Sequence, residues 1–368
     1  MSSPAPSSSS LSLSSSSSRS RLFLGGVAAV AALAGVYFLF QKRRSACSKS
    51  SQEIDDARRA YTQQQQSGPI ISDATRSLFQ RWEALLERAT PVTIDDSIIT
   101  ERFWRVYHTA LESHPYKCIH QKRFLEARLC QHSFYKTLIG QSSSEIEQLT
   151  FSRALTSKPV AERRLLDVGC CFGTDMRQLV LEGFRPSNLL GLDINDTFIS
   201  LGLDILFDDR NGPLGQRFVT GDILDDTTVE RTPKLKEFVD SGIDAIYAGS
   251  VYHLLSEDNT RRLSEAIFRM VASGGCAFGR TVGVVGDQIF GHKIDKPAVG
   301  GHDLRYLHSA GSLTEQLKQV GFTNIHVEIG EIDMVKMRSG RDDTATTQMN
   351  GQRKEVDIAM LTFYAEKP

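Results

Sequence analysis

From residue 163 onward, short apolar runs alternate with stretches of helical period. RRLLDV (163–168), NLLGLDI (188–194), RFVTGDI (217–223), DAIYAGS (244–250), CAFGRTVG (276–283), NIHVEIG (324–330) and EVDIAMLTFYAEK (355–367) are bounded by glycine or polar residues and predict seven strands. Between them, TDMRQLVLEG (174–183), DTFISLGLDILF (196–207), the stretch 228–240, EDNTRRLSEAIFRMVASGG (257–275) and SLTEQLKQVGF (312–322) predict helices, the last begun by Ser312 with Glu315 completing a capping box. Strands alternating with helices give an α/β fold with a doubly wound, mostly parallel seven-stranded sheet. The last two strands have no helix between them, so one antiparallel strand is expected at an edge.

Ahead of this region the pattern is helical. TRSLFQRWEALLERA (75–89) places Leu78, Trp82, Leu85 and Leu86 on one face, and further helices are expected over Ile98–Leu111 and Gln121–Ile139, with Pro115 breaking the chain between them. Residues 71–157 therefore form a helical extension to an α/β domain at 158–368. Residues 1–21 are Ser-rich, and 22–40 (LFLGGVAAVAALAGVYFLF) carry no charge and are flanked by Arg19, Arg21, Lys42, Arg43 and Arg44. A span of that length with basic ends predicts a single membrane helix, joined to the rest by a polar linker at 41–70. The rival reading is an organelle transit peptide, because no acid precedes Glu53.

Charge and cysteine content narrow the function classes. The formal net charge is −1, but six of the 43 Lys+Arg precede residue 53, leaving 37 against all 44 Asp+Glu. An acidic body argues against a general nucleic-acid binder. None of the six cysteines forms a C-x-x-C pair, and His114, Cys118 and His120 lack a second ligand pair at zinc spacing, so no metal is expected. Reduced thiols suit a cytosol-facing domain.

The candidate chemistry begins at LLDVGCCFGTD (165–175). Gly169 and Gly173 allow a tight turn between a strand and a helix N-terminus. Cys171 stands where a dinucleotide loop has its second glycine, and the phosphate-loop G-K-[ST] is absent. Cys171 is tolerated there if its φ is ordinary; a reactive thiol is the competing reading. Three acids end the first three strands. Asp167 can pair with an ammonium, Asp193 can take ribose hydroxyls, and Asp222 can accept from an adenine amino group with Ile223 flanking the ring; Ile194 and Ser250 are further candidate cofactor-binding residues. Amino acid, ribose and adenine in series describe S-adenosyl-L-methionine.

LLDVGCCFG, LLGLDI, TGDI and DAIYAGSVYHLL resemble the ordered motifs of class I S-adenosylmethionine-dependent methyltransferases. YKCIHQKRFLEARLCQHSFY (116–135), FGRTVG (278–283) and LHSAGSL (307–313) are similar to the fungal meroterpenoid and polyketide pathway group of the austinol type. The resemblance covers about residues 100–365, and departs from that group at Thr174 and Leu307. It implies a Rossmann-like fold and methylation, through oxygen, of a small polyketide- or terpenoid-like acceptor in secondary metabolism. A non-catalytic S-adenosylmethionine-binding membrane scaffold and a protein methyltransferase are the alternatives. His253, after the fourth strand, is the candidate base or acceptor contact, and His308 a second candidate from the other side of the pocket. Tyr116, Phe124 and Tyr135 are candidates to cover the acceptor, and the glycine-rich stretch 286–306, with His292 and His302, reads as a lid. The expected location is a membrane, endoplasmic reticulum or alternatively mitochondrial, with the catalytic domain in the cytosol.

Overall fold

The computed structural model of the chain describes residues 68–86, 93–141, 151–285, 291–299, 303–330, 344–349 and 352–368. The chain divides into two units, Met1–Gln66 and Ser67–Pro368, and every described residue belongs to the second. The membrane span at 22–40 and nearly all of the linker thus lie outside the described residues. Among the described residues no helix is long and apolar enough to cross a membrane.

Helix α1 (Asp73–Leu85) starts at Ser72, whose hydroxyl accepts from the Thr75 N–H at 3.1 Å. It buries Leu78, Phe79 and Trp82. Helix α2 (Asp96–Ser113) is capped by Asp95 and buries Ile99, Phe103, Val106, Tyr107 and Ala110 at helical spacing. The helix expected over 121–139 does not form. In its place single turns run over Lys117–His120, Arg123–Leu125, Leu129–Gln131 and Tyr135–Leu138. Lys122 sits at a left-handed φ of 59°, which ends a right-handed helix. The segment spends its hydrogen bonds on the main domain instead: Thr174 Oγ1 donates to the Phe124 carbonyl at 2.6 Å, the Leu129 N–H donates to Asp175 Oδ1 at 2.8 Å, and His132 Nε2 meets the Phe363 carbonyl at 3.0 Å.

The α/β region follows in order: β1 (Leu165–Val168), α3 (Thr174–Leu181), β2 (Leu189–Asp193), α4 (Asp196–Leu201), β3 (Phe218–Thr220), α5 (Pro233–Asp240), β4 (Ile243–Gly249), α6 (Glu257–Met270), β5 (Val271–Val284), β6 (His292–Pro297), β7 (Leu304–Leu307), α7 (Ala310–Val320), β8 (Thr323–Ile329), β9 (Thr344–Met349) and β10 (Gln352–Glu366). Seven strands form the expected sheet, in the order β3-β2-β1-β4-β5-β10-β8. The first five are parallel; β10 is antiparallel to both β5 and β8. The antiparallel strand is thus inserted one place from the edge rather than at it. Because β10 is 15 residues long, its first half overshoots β8 and pairs with β9, which pairs with β6 and through it β7. Among the described residues the sheet therefore has ten strands, and the stretch read as a lid contributes two of them. His302 lies outside the described residues.

Local details differ from expectation for visible reasons. Pro233 splits the helix expected over 228–240 into Thr228–Arg231 and α5. The helix expected over 196–207 turns from α4 into a π-helical turn at Gly202–Leu206. A Cβ on Gly202 would lie 2.4 Å from the Phe172 carbonyl oxygen, so glycine lets the candidate turn pack directly on this helix. Helix α7 begins three residues earlier than expected, with Ser309 and Ser312 capping each other. Two apolar layers sandwich the sheet. The N-terminal extension and α3 pack on the face carrying Leu165, Tyr247 and Phe278, while α5, α6 and α7 pack on the face carrying Leu166, Val168 and Ile246.

Candidate active site

The turn after β1 is left-handed at three residues: Gly169 (φ 76°), Cys171 (53°) and Gly173 (73°). The condition on which Cys171 was expected to be tolerated fails, since its φ is positive. A non-glycine residue there stores about 1–2 kcal/mol. The conformation is held because the Cys171 N–H donates to Asp193 Oδ2 at 2.8 Å, and the Gly169 and Cys170 N–H groups donate to the Leu192 carbonyl at 2.8 and 3.2 Å. Burial pushes the thiols of Cys170 and Cys171 well above their ordinary range, so both stay protonated and the reactive-thiol reading loses its basis.

An ion pair that sequence reading missed supports the turn from α3. Arg177 and Asp209 are fully buried and paired two-pronged, Nε to Oδ2 at 2.9 Å and Nη2 to Oδ1 at 2.7 Å. Arg177 Nη1 also donates to the carbonyls of Phe172 and Gly173 at 2.8 and 2.9 Å, and its guanidinium lies 3.8 Å from the Phe207 ring centroid. Trp82 of α1 donates from Nε1 to Asp209 Oδ2 at 2.9 Å. The extension, the π-helical turn and the candidate loop are thereby one hydrogen-bonded unit.

The acids stand at the carboxyl edge of the sheet, where an open α/β fold binds ligands. Asp193 is 7% exposed and also accepts from the Asn195 N–H at 2.8 Å. Burial raises its carboxyl, and the backbone N–H groups pull it back; each oxygen keeps a second lone pair for a ribose hydroxyl. Beside it Ile194 is 51% exposed, a large apolar side chain left in water where a ring could cover it. Asp222 is exposed and accepts from the Leu224 N–H at 2.9 Å, with Ile223 half-buried next to it. Ser250 takes a left-handed φ of 66° and donates its N–H to the Arg280 carbonyl at 2.7 Å, closing β4 against β5. Asp167 is 2% exposed. Burial, with the charges of Asp175 and Asp193, holds its carboxyl well above the usual range, and burial lifts Asp175 to about 6. Buried carboxyls so raised regain their charge when a cation arrives, which fits the ammonium of S-adenosylmethionine at Asp167.

His253 lies in the loop after β4. Its backbone N–H donates to Thr281 Oγ1 at 3.1 Å, its Nδ1 lies 3.3 Å from the same hydroxyl, and Nδ1 accepts from the Val282 N–H at 3.5 Å. A backbone N–H can only donate, so Nδ1 is the unprotonated nitrogen and Nε2 carries the proton. Burial, then Arg305 and Lys117, lower the ring to about 3. His308 is placed differently. It is 2% exposed and both nitrogens are engaged, Nδ1 with Ser312 at 3.0 Å and Nε2 with Thr260 at 3.2 Å, so it ties α7 to α6 and has no nitrogen to offer a substrate. Phe124 stacks on Phe172 of the turn at 4.4 Å. Tyr116 lies 5.9 Å from Phe198, while the Tyr135 hydroxyl accepts from Gln178 at 3.3 Å on the outer side of α3. Among the described residues no group of three or more His, Cys, Asp or Glu could hold a metal ion.

No protein-family model matches the chain. Among curated proteins it is similar to the O-methyltransferase phiE of Fungal sp. (strain ATCC 74256), 26% identical over 286 residues, covering 77% of this chain and 81% of that protein. It is also similar to the methyltransferase adrK of Penicillium rubens, 27% identical over 158 residues (43% of this chain, 48% of that one), and to the O-methyltransferase atr3 of Stereocaulon alpinum, 29% identical over 226 residues (61% and 55%). The match thus spans about half the length of the latter two.

Proposed function

We propose that this chain, a class I S-adenosylmethionine-dependent methyltransferase similar to fungal enzymes of secondary metabolism, moves a methyl group onto an ionised oxygen of a small acidic acceptor. The observation that carries the finer part is the state of His253. A ring lowered to about 3 with its proton on Nε2 is a poor base at neutral pH but a sound hydrogen-bond donor. Arg305 and Lys117, whose positive charges bear on it, favour an anion at the same place.

When bound, S-adenosylmethionine supplies a methyl already activated by the sulfonium charge. The chain's own residues provide the rest. Asp193 and Asp222 fix the nucleoside, Asp167 holds the ammonium, and Phe124 stacked on Phe172 keeps water from the turn. His253 Nε2–H orients the acceptor oxygen, and alignment is the main contribution to rate. An acceptor that arrives as a carboxylate or an acidic phenolate needs no proton removed. His253→Ala is therefore expected to slow turnover by about tenfold, the worth of one donated hydrogen bond, with a pH profile that follows the acceptor's own ionisation. A loss of about 10²–10⁴ together with disappearance of a titration near neutrality would mean that His253 is a base acting on a hydroxyl.

We further propose that residues 22–40 anchor the protein in a membrane with the catalytic unit in the cytosol. The sequon Asn195-Asp196-Thr197 supports this orientation. Asn195 caps α4 through Oδ1, which accepts from the Thr197 N–H at 3.0 Å, and its Nδ2 donates to Ser113 Oγ at 2.9 Å, so a glycan there would break the cap beside Asp193. The full chain should stay with membranes in alkaline carbonate and remain open to added protease; release by carbonate, or an endoglycosidase-sensitive mass, would contradict the proposal.

A further inference from the structure

Two buried polar atoms on one face of the sheet, the Tyr247 hydroxyl and Arg280 Nε, have no hydrogen-bond partner. Tyr247 on β4 stands in register with Asp167 on β1 and with Phe278 on β5, and Arg280 follows two residues after Phe278, so all four side chains lie on the face covered by the extension. Tyr247 is 1% exposed and its hydroxyl bonds to nothing; Arg280 is 9% exposed and its Nε likewise has no partner. Buried polar atoms in this state are uncommon and ask for an explanation. Arg280 is held from the extension, its Nη1 donating to Gln131 Oε1 at 2.5 Å, and its carbonyl closes the end of β4 through the Ser250 N–H. Arg280 makes no ion pair within 4.0 Å among the described residues, and neither does Asp167. The charges of Asp167, Asp175, Arg280 and Arg128 all bear on the Tyr247 hydroxyl, which places them around one centre.

A buried cation and a buried carboxyl on one sheet face, neither in an ion pair among the described residues, suit a ligand that carries both charges on one short unit. An α-amino acid group does so. We propose that Arg280 and the Tyr247 hydroxyl seat the carboxylate of the donor's methionyl end, while Asp167 takes its ammonium. Gln131 orients the guanidinium, which makes the extension part of the donor site. The inference rests on the methyltransferase reading. The rival assignment gives Arg280 to the acid group of the acceptor.

The test is calorimetric binding by the full chain in detergent, with no acceptor present, of S-adenosylmethionine and of its decarboxylated analogue, which keeps the amine and lacks the carboxylate. Wild type is expected to prefer S-adenosylmethionine by about 10–100-fold, the range for hydrogen bonds to a charged group. Arg280→Leu should bind the two alike. Tyr247→Phe should narrow the preference about threefold or more while raising the melting temperature of the ligand-free protein, because it removes an unsatisfied hydroxyl. That variant decides the matter if Arg280→Leu does not fold. An undiminished preference in the folded variants would overturn the seat and give Arg280 to the acceptor, whereas a wild-type chain that binds neither compound would overturn the methyltransferase reading and the seat with it.

Discussion

Arg177→Ala is expected to destabilise the protein by about 3–5 kcal/mol, because it leaves the Asp209 carboxylate buried without its partner. The loss should exceed that of an ordinary broken pair at this site, since the same guanidinium also satisfies the carbonyls of Phe172 and Gly173. Replacing both partners with apolar residues, as in Arg177→Met with Asp209→Leu, removes the stranded charge. It should recover only part of the loss, because Trp82 Nε1 and the two carbonyls then lack partners. Urea denaturation of the two variants checks this. A single substitution costing under about 1 kcal/mol would show that the buried pair does not hold the turn.

Asp193→Ala should have the largest effect on ligand binding. In the proposed donor site the carboxylate accepts two ribose hydroxyls, and losing two hydrogen bonds to a charged group weakens binding about 10²–10⁴-fold. The same change leaves the Cys171 and Asn195 N–H groups without their acceptor. Cys171 is the strained residue of the turn, so some of the loss should come from the loop leaving its left-handed conformation. Asp193→Asn keeps one acceptor oxygen and should fall between wild type and Asp193→Ala. Titration calorimetry on the folded variants separates the cases; equal affinity in Asp193→Ala would remove Asp193 from the donor site.

What the sequence displayed and what it hid divide along physical lines. The strands carrying Asp167 and Asp193 were legible because β1 and β2 are buried at every position, which makes them apolar runs broken only by the acid near the end of each. The acids follow at the one edge where such a sheet opens to a ligand, and the chain's own punctuation marked the turn between them. The segment 116–140 was not legible: its apolar spacing suits a helix, but Phe124, Leu129 and His132 are bonded to α3 and β10, and only the folded domain brings those partners near. Strands β6, β7 and β9 were hidden for a related reason. They are only four to six residues long, β6 and β9 are mostly polar, and they pair outward from the overhanging half of β10, whose length exceeds what its neighbour β8 can cover. The Arg177–Asp209 pair gave no sequence signal, because an arginine on a short helix reads as solvent-facing until the partner 32 residues away arrives. His308 shows the opposite error. A histidine in a recognised motif drew a chemical role, and the structure engages both its nitrogens in joining two helices.

Methyl transfer to an acidic oxygen leaves its signature in the chemical nature of the new bond. The full chain would be supplied with S-adenosylmethionine labelled in its methyl group and with a mixture of aromatic and terpenoid carboxylic acids and phenols. The product would then be examined by mass spectrometry before and after mild alkali. The expected product is heavier than its acid by the 14 daltons of a methylene plus the mass of the label. For a carboxylate acceptor, alkali should return the acid and release labelled methanol; for an acidic phenol, the label should be alkali-stable and found only on acceptors ionised at the assay pH. Label recovered on nitrogen, on carbon, on protein, or on un-ionised alcohols through a His253-dependent step would contradict it.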